Sequence, residues 1–144
     1  MKHLIKKSFV IVIVISVLCL MTSGSDVKGV MADLICARTD ILNGYFCGHI
    51  NYYDALEQIK NIEKGRLLDE DIQAMRDFFQ TDIEEVSEYK IKDIELTNGD
   101  ETLVCAVVTI DWKVSGTSKT EKIEEIYSVI MEKDEKNYKL VQFF

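Results

Sequence analysis

The sequence contains no proline, no internal repeat and no low-complexity tract. Linkers between domains usually differ in composition from the domains that they join, and this sequence has no such stretch, which favours a single folded domain. A chain of 144 residues is long enough for one packed core and little more. The sequence also lacks a glycine-rich phosphate loop and the Ser, His and Asp order of a catalytic triad. Common nucleotide-binding and serine-hydrolase signatures are therefore absent.

Basic residues are scarce, since 17 Lys and Arg stand against 25 Asp and Glu and give a net charge of -8. Three of the lysines precede residue 25, so the remainder carries 14 basic residues against the same 25 acidic ones. Such a surface repels phosphate backbones and anionic lipid headgroups. We therefore expect no nucleic-acid partner, and contact with a membrane only through the N-terminal segment.

Histidine and cysteine are too few for a recognisable metal site. His49 is the single histidine beyond the first 24 residues; Cys47 lies beside it and Cys36 lies 11 residues before Cys47. Structural zinc sites need three or four ligands at regular spacing, so we predict no metal and no cofactor. On one helix Cys36 and Cys47 are about 16 Å apart, too far for a disulfide. The fourth cysteine, Cys19, lies in the apolar N-terminal run, so Cys36, Cys47 and Cys105 make an odd count that leaves a free thiol or an intermolecular bond.

The sequence begins with a pattern typical of an export signal. Three lysines in the first seven residues precede an almost wholly apolar run, residues 8–21, and small residues follow at 22–24. As a helix the run spans about 21 Å, less than the ~30 Å hydrocarbon core, which favours a signal peptide over a permanent anchor. An uncleaved N-terminal anchor is the alternative. In both cases we expect residues 1–24 to be the leader and residues 25–144 to form one extracytoplasmic domain, secreted or anchored to the cell membrane by residues 8–21.

The first predicted helix runs from Val27 to about His49, because apolar residues recur there at spacings of three and four. Asn43-Gly44 is a possible early stop for this helix. Arg38 falls on the apolar stripe, so its guanidinium must either reach solvent or pair with an acidic side chain.

Two further helices are predicted between the first helix and the strands. Asn51 can cap the second helix, and Glu63-Lys64-Gly65 is expected to end it. The third is predicted from Asp69 to about Gln80, with Glu70 and Asp71 near its positive end and its apolar side chains, Phe79 included, facing inward.

From about Val86 onward apolar residues recur at every second position, which predicts four strands joined by short polar turns. A bulge is expected near Asp93, where the alternation of the first strand slips. The second strand has an unbroken apolar face that must be covered, formed by Val104, Ala106, Val108, Ile110, Trp112 and Val114. The predicted fold class is α+β, with three N-terminal helices packed on a curved four-stranded antiparallel meander.

The order of elements and the closing step Tyr138-Lys139-Leu140-Val141 resemble the nuclear-transport-factor-like, or cystatin-like, α+β superfamily and its small exported bacterial domains of uncharacterised function. The resemblance covers residues 26–144. It implies a helix-and-sheet cone, a frame that the superfamily uses for isomerases, dehydratases, transport adaptors and conjugation-machine subunits.

Residues with catalytic or binding chemistry are few. In the superfamily a desolvated carboxylate, sometimes with a histidine, performs acid/base chemistry inside the cone. Asp40 or Asp111 with His49 are the candidates here, but Asp111 lies on the strand face opposite the apolar set and Asp40 lies off the helical stripe. We therefore predict no catalytic residue. Arg38 and His49 are the candidate ligand-binding residues, and the alternative for Arg38 is a head paired to a local acid.

The outer face of the predicted sheet is more apolar than solvation requires. Such patches usually mark contacts, so we predict an interaction face for a homodimer or a protein partner, formed by Leu103, Cys105, Val107, Ile126 and Ile130. The alternative is that a C-terminal element folds partly over this face.

The first functional interpretation is a noncatalytic extracytoplasmic interaction domain, not an enzyme. The second is a small-ligand-binding or isomerase- or dehydratase-like enzyme that uses the cavity between helices and sheet. The third is an accessory subunit of a conjugation or envelope machine, which requires an uncleaved leader.

Overall fold

A computed structural model describes residues 26–78, 84–116 and 118–144. The elements, in chain order, are α1 (Val27–Phe46), α2 (Tyr52–Ile62), α3 (Gly65–Arg76), β1 (Glu85–Gly99), β2 (Leu103–Ser115), β3 (Thr120–Asp134) and β4 (Asn137–Phe143). The predicted α+β class, three helices followed by a four-stranded antiparallel meander, is confirmed. The predicted leader, residues 1–24, lies outside the described residues, as do Phe79 and Gln80. Among the helices that the structure describes, none has the length and apolar character needed to cross a bilayer.

The strands pair in sequence order, β1 to β2 to β3 to β4, and every pairing is antiparallel. The β2 and β3 register runs without a shift from Leu103 opposite Glu132 to Ser115 opposite Thr120. The β1 and β2 register shifts three times, and one shift lies between Ile91 and Asp93. The predicted bulge near Asp93 is confirmed.

The helices cover one face of this sheet, called here the inner face, and the opposite face is the outer face. The alternating apolar set of β2 lies on the inner face: Val104, Ala106, Val108 and Ile110 are buried, and Trp112 and Val114 are half-buried. Met31 and Ile35 of α1 pack against the buried set. Burying these side chains is the main free-energy term that holds helix to sheet.

A second, smaller core joins the three helices to one another. It consists of Ile41 from α1, Ala55 and Ile59 from α2, and Met75 from α3. The Tyr45 hydroxyl donates a hydrogen bond of 2.7 Å to the Met75 carbonyl, which ties the end of α1 to the end of α3.

The α1 helix passes through Asn43-Gly44 and ends at Phe46, three residues before the predicted end at about His49, so the possible early stop does not occur. The Asn43 side chain cannot cap its own helix, because both the nitrogen and the oxygen of its amide form hydrogen bonds with the backbone of Val86 on β1. Its Nδ2 donates to the Val86 carbonyl at 3.1 Å, and its Oδ1 accepts from the Val86 amide at 2.9 Å. The Asn51 cap is confirmed, since its side chain accepts from the Asp54 amide at 3.0 Å.

The third helix begins at Gly65, one turn before the predicted Asp69. Glu63 and Lys64 form a two-residue extended linker that lies along β4, and the Lys64 amide donates to the Leu140 carbonyl at 3.0 Å. Gly65 then reverses the chain with a φ of 64°, a conformation that glycine adopts at low cost. Because α3 begins earlier than predicted, Asp71 lies beyond its first turn and is buried, so it does not serve the positive end of the helix as predicted.

Candidate functional site

The outer face of the sheet presents the predicted interaction residues on one surface. On β2, Cys105 and Val107 alternate with the buried inner set, and Cys105 lies opposite Ile130 of β3. Cross-strand partners project to the same side of a sheet, so Cys105 and Ile130 are neighbours. Ile126, opposite Thr109, lies farther along the same face.

Several of these side chains are exposed. Ile126 is 68% exposed, Val107 is 36% exposed and Leu103 is also exposed, whereas Cys105 and Ile130 are half-buried. The neighbouring inner residue Val108 is fully buried. Exposure therefore alternates along β2 as the predicted orientation of the strand requires.

Phe144 joins the same surface, and sequence reasoning missed it. Its amide donates to the Ser128 carbonyl at 3.2 Å and its carbonyl accepts from the Ser128 amide at 2.7 Å. Because Ser128 lies opposite Val107, this pairing puts Phe144 on the outer face, where it is 71% exposed. Alternation from Phe143, which faces inward, could have revealed it. The outer patch is defined here as Leu103, Cys105, Val107, Ile126, Ile130 and Phe144.

Ion pairs bound the outer patch at the end near the β2 and β3 turn. Lys92 lies 2.5 Å from Glu124, and Lys113 lies 2.6 Å from Glu88. Glu124, Lys113 and Glu88 line a shallow groove of about 460 Å³. Exposed pairs of this kind contribute little to stability, so their main effect is to limit the apolar area.

On the opposite side of the sheet, Arg38 is held between two acids and an aromatic ring. Its Nε and Nη2 donate to the two carboxylate oxygens of Asp71 at 2.8 Å each. Its Cζ lies 4.8 Å from the centre of the Phe143 ring, within range of a cation–π contact. The Arg38 side chain is 17% exposed, and of the two arrangements expected for its guanidinium, a head in solvent or a head paired with an acid, the structure shows the second.

Glu63 completes this cluster but receives no hydrogen bond. Its Oε1 lies 2.9 Å from Nε of Arg38, yet the single hydrogen on Nε points to Asp71. Among the described residues neither Glu63 carboxyl oxygen has a hydrogen-bond donor, and the residue is 0% exposed. Burial, and next the charge of Asp71, raise the pKa of Glu63 to about 8, while Arg38 opposes them.

An aromatic row crosses the inner face next to this cluster, with one ring from each strand. Tyr89 lies 5.8 Å from Trp112, Trp112 lies 6.1 Å from Tyr127, and Tyr127 stacks on Phe143 at 4.5 Å between ring centres. The four rings are half-buried and line the inner face beside the Arg38 cluster. Burial and the nearby Glu125 raise the pKa of Tyr127 to about 12.

The predicted acid/base candidates do not meet. His49 is exposed in the turn after α1, and Arg38 lies about 12 Å before the end of that helix. Asp40 is exposed and accepts from the Tyr89 hydroxyl at 2.9 Å. Asp111 lies opposite Lys90 and Glu124 on the outer face. The structure therefore separates Arg38 from His49, the two predicted ligand-binding residues.

The three cysteines in the described part of the chain are free thiols that lie on different surfaces. Cys36 is half-buried on α1, Cys47 is half-buried in the turn directly after α1, and Cys105 is half-buried on the outer face. Burial raises the pKa of both the Cys36 and the Cys47 thiols, which lowers their reactivity. In residues 26–78, 84–116 and 118–144, no three His, Cys, Asp or Glu side chains are placed to share a metal ion.

No protein-family model matches this sequence, and no curated protein matches it. Among solved structures, the chain is similar to the intermembrane space region of the chloroplast protein ARC6. The TM-score is 0.51 at 12% sequence identity, and the match covers 83% of this chain and 95% of that one. What the two chains share is a fold. At this identity the likeness supports the α+β architecture and assigns no residue a role.

Proposed function

We propose that this protein is a noncatalytic interaction domain outside the cytoplasm, and that it contacts another protein through the outer patch. One observation carries the proposal: Leu103, Val107, Ile126 and Phe144 are large apolar side chains, all exposed, on one face of one sheet. A contiguous apolar surface on a folded domain typically marks a contact site.

The energetics favour a protein as the partner. Full burial of a Val, Leu, Ile or Phe side chain is worth about 1.5–3 kcal/mol, so covering the exposed part of these four side chains gains a fraction of that value for each and offsets part of the entropy cost of association. The ion pairs around the patch suit a polar rim. A net charge of -8 opposes binding to nucleic acid or to anionic lipid. A second copy of this chain and a different protein both fit this chemistry.

The location outside the cytoplasm rests on the leader. Residues 8–21 form the apolar run of a signal peptide or an N-terminal anchor, so we infer that residues 25–144 are exported as one domain. The solved structure with the same fold is itself an intermembrane space region, which agrees with this location. Membership in the nuclear-transport-factor-like superfamily belongs to the same proposal, and the order of three helices and four strands supports it.

The noncatalytic part of the proposal is supported by the surroundings of the buried carboxylate. An isomerase- or dehydratase-like reaction would need a substrate to reach a desolvated carboxylate, and Glu63 is the one with a strongly raised pKa in the described part of the chain. Glu63 is 0% exposed, and the aromatic row occupies the neighbouring space. This geometry supports interaction over catalysis. The role of an accessory subunit in a conjugation or envelope machine would be one form of such interaction.

Site-specific photocrosslinking in the native host tests the proposal. A benzoylphenylalanine is placed at Val107 on the outer patch or, as a matched control, at Tyr53 on α2, which is 78% exposed. We expect an adduct of defined mass from position 107 and none from position 53. An adduct of twice the chain mass identifies a second copy, and another mass identifies a different protein. Equal yields from both positions, or none from position 107, would contradict the proposal.

A further inference from the structure

Arg38, Glu63 and Asp71 bring three ionisable side chains together in the interior, and they come from three different segments. Arg38 lies on α1, Glu63 in the linker between α2 and α3, and Asp71 on α3. With both acids ionised, one guanidinium would face two carboxylates at a site where Glu63 is 0% exposed. Buried charge is tolerated when it is paired and hydrogen-bonded, so one acid must be neutral.

The geometry shows which acid holds the proton. Asp71 accepts two hydrogen bonds from Arg38, which stabilise its charged form, whereas Glu63 accepts none among the described residues. A protonated Glu63 can donate its hydrogen to the neighbouring Asp71, and that contact favours the neutral form. The neutral cluster then holds one cation, one anion and one carboxylic acid.

We propose that this cluster is a pH-sensitive latch, closed while Glu63 carries its proton and released when that proton leaves to solvent. The inference does not depend on the proposed function. The backbone of Glu63 and Lys64 lies against β4, with the Lys64 amide bonded to Leu140 at 3.0 Å. Glu63 is 0% exposed, so its ionised form regains hydration only if the packing around it opens; in the latch, the linker that carries Glu63 moves away from β4.

Other charged groups near Glu63 are already paired. Arg38 approaches from α1 and Asp71 from α3, while β4 contributes the uncharged Leu140 and Phe143. Lys64, next in the chain, pairs with Glu132 of β3 at 2.9 Å. The Tyr127 hydroxyl of β3 donates to Glu125. None of these groups supplies Glu63 with a second cation.

The sign of the pH dependence follows from the protons bound in each state. Burial raises the pKa of Glu63 from 4.5 in the unfolded chain to about 8 in the folded one, so the folded chain binds more protons between these values. The stability associated with this proton is complete below pH 4.5 and is lost as the pH rises through about 8. The unfolding equilibrium constant therefore rises by up to about tenfold per pH unit within this window.

Urea unfolding of the purified chain at pH 5, 6, 7, 8 and 9 tests the latch in the wild type, Glu63→Gln and Glu70→Gln. Glu63→Gln keeps the shape of the neutral acid and has no proton to lose. Glu70 is an exposed acid on α3 that pairs with Arg66. Between pH 5 and 8 we expect the unfolding equilibrium constant of Glu70→Gln to rise with pH as it does in the wild type. In Glu63→Gln this rise should be smaller by up to about tenfold per pH unit. Equal pH dependence in the wild type and Glu63→Gln would overturn the proposal.

Hydrogen exchange at the Lys64 amide gives a second readout in the wild type, which is decisive even if Glu63→Gln does not fold. After correction for the intrinsic exchange rate, we expect protection of this amide to fall at least tenfold between pH 6.5 and 9.5. The Ala106 amide, in the core of β2, exchanges through global unfolding, so at every pH it should stay more protected than the Lys64 amide, which the latch exposes locally. Unchanged protection at Lys64 would contradict the latch.

Discussion

Arg38 on α1 and Asp71 on α3 are joined by two parallel hydrogen bonds of 2.8 Å. The pair crosses the helical layer, and Arg38 also stacks on Phe143 of β4. One guanidinium thereby connects two helices and the last strand. Removing one partner of such a pair costs more than the pair contributes, because it leaves a buried charge without compensation.

Arg38→Met and Asp71→Asn should have unequal effects at pH 7. Without Arg38 two acids remain with no cation, and we expect a loss of about 3–5 kcal/mol in the free energy of unfolding. Without the Asp71 charge, Glu63 can ionise and pair with Arg38 at 2.9 Å, so the loss should be nearer about 1–2 kcal/mol. Urea denaturation measures both values. A larger loss for Asp71→Asn than for Arg38→Met would contradict the assigned charges.

The sequence predicted that the Arg38 guanidinium would either reach solvent or pair with an acid, because a cation on an apolar stripe cannot remain both buried and unpaired. It did not predict Asp71 or Glu63 as partners. Both depend on the start of α3, which is set by two linker residues pairing with β4 more than seventy residues later. The strands were predictable to within a few residues, because alternation is a local property. The aromatic row depends on pairing across strands, which no single stretch of sequence specifies, whereas alternation from Phe143 was a local signal for Phe144.

Two adjacent residues of β2 should respond in opposite ways to the same substitution. Val108→Asp places a charge in the core, where Val108 is 0% exposed, and we expect the domain not to fold at pH 7. Val107→Asp places the charge on the outer patch and should change the free energy of unfolding by less than about 1 kcal/mol. Circular dichroism with urea titration distinguishes the two. A folded Val108→Asp or an unfolded Val107→Asp would show that the faces are misassigned.

Asn43→Ala should detach the end of α1 from β1. The substitution removes both side-chain hydrogen bonds to Val86, at 2.9 and 3.1 Å, so the Val86 amide and the Val86 carbonyl each lose a hydrogen-bond partner. We expect a loss of about 1–3 kcal/mol and faster hydrogen exchange at the Val86 amide. Asn61→Ala, at an exposed position of α2, is the control and should stay within about 0.5 kcal/mol. Equal effects of the two substitutions would contradict this role for Asn43.

Two glycine substitutions should also differ in sign. At Gly99 the φ is 140° and an added Cβ would lie 2.1 Å from the Leu103 carbonyl oxygen, so Gly99→Ala should destabilise the domain by at least about 1 kcal/mol. Gly29 lies inside α1 with no atom within 4 Å of an added Cβ, so Gly29→Ala should stabilise the domain by up to about 1 kcal/mol. Thermal unfolding reports both. The turn geometry after β1 is wrong if Gly99→Ala proves neutral.

The central claim is that the outer patch is one contact surface. Its most direct test measures how much adduct forms from the benzoylphenylalanine at position 107 when a second residue of the patch is also substituted. Ile126 and Phe144 lie on the patch at 68% and 71% exposure, and neither is required by the core. We predict that Ile126→Asp or Phe144→Ser lowers the adduct yield from position 107 at least tenfold, while the control Asn61→Ala leaves it unchanged. A yield that is the same in all of these chains would contradict the claim.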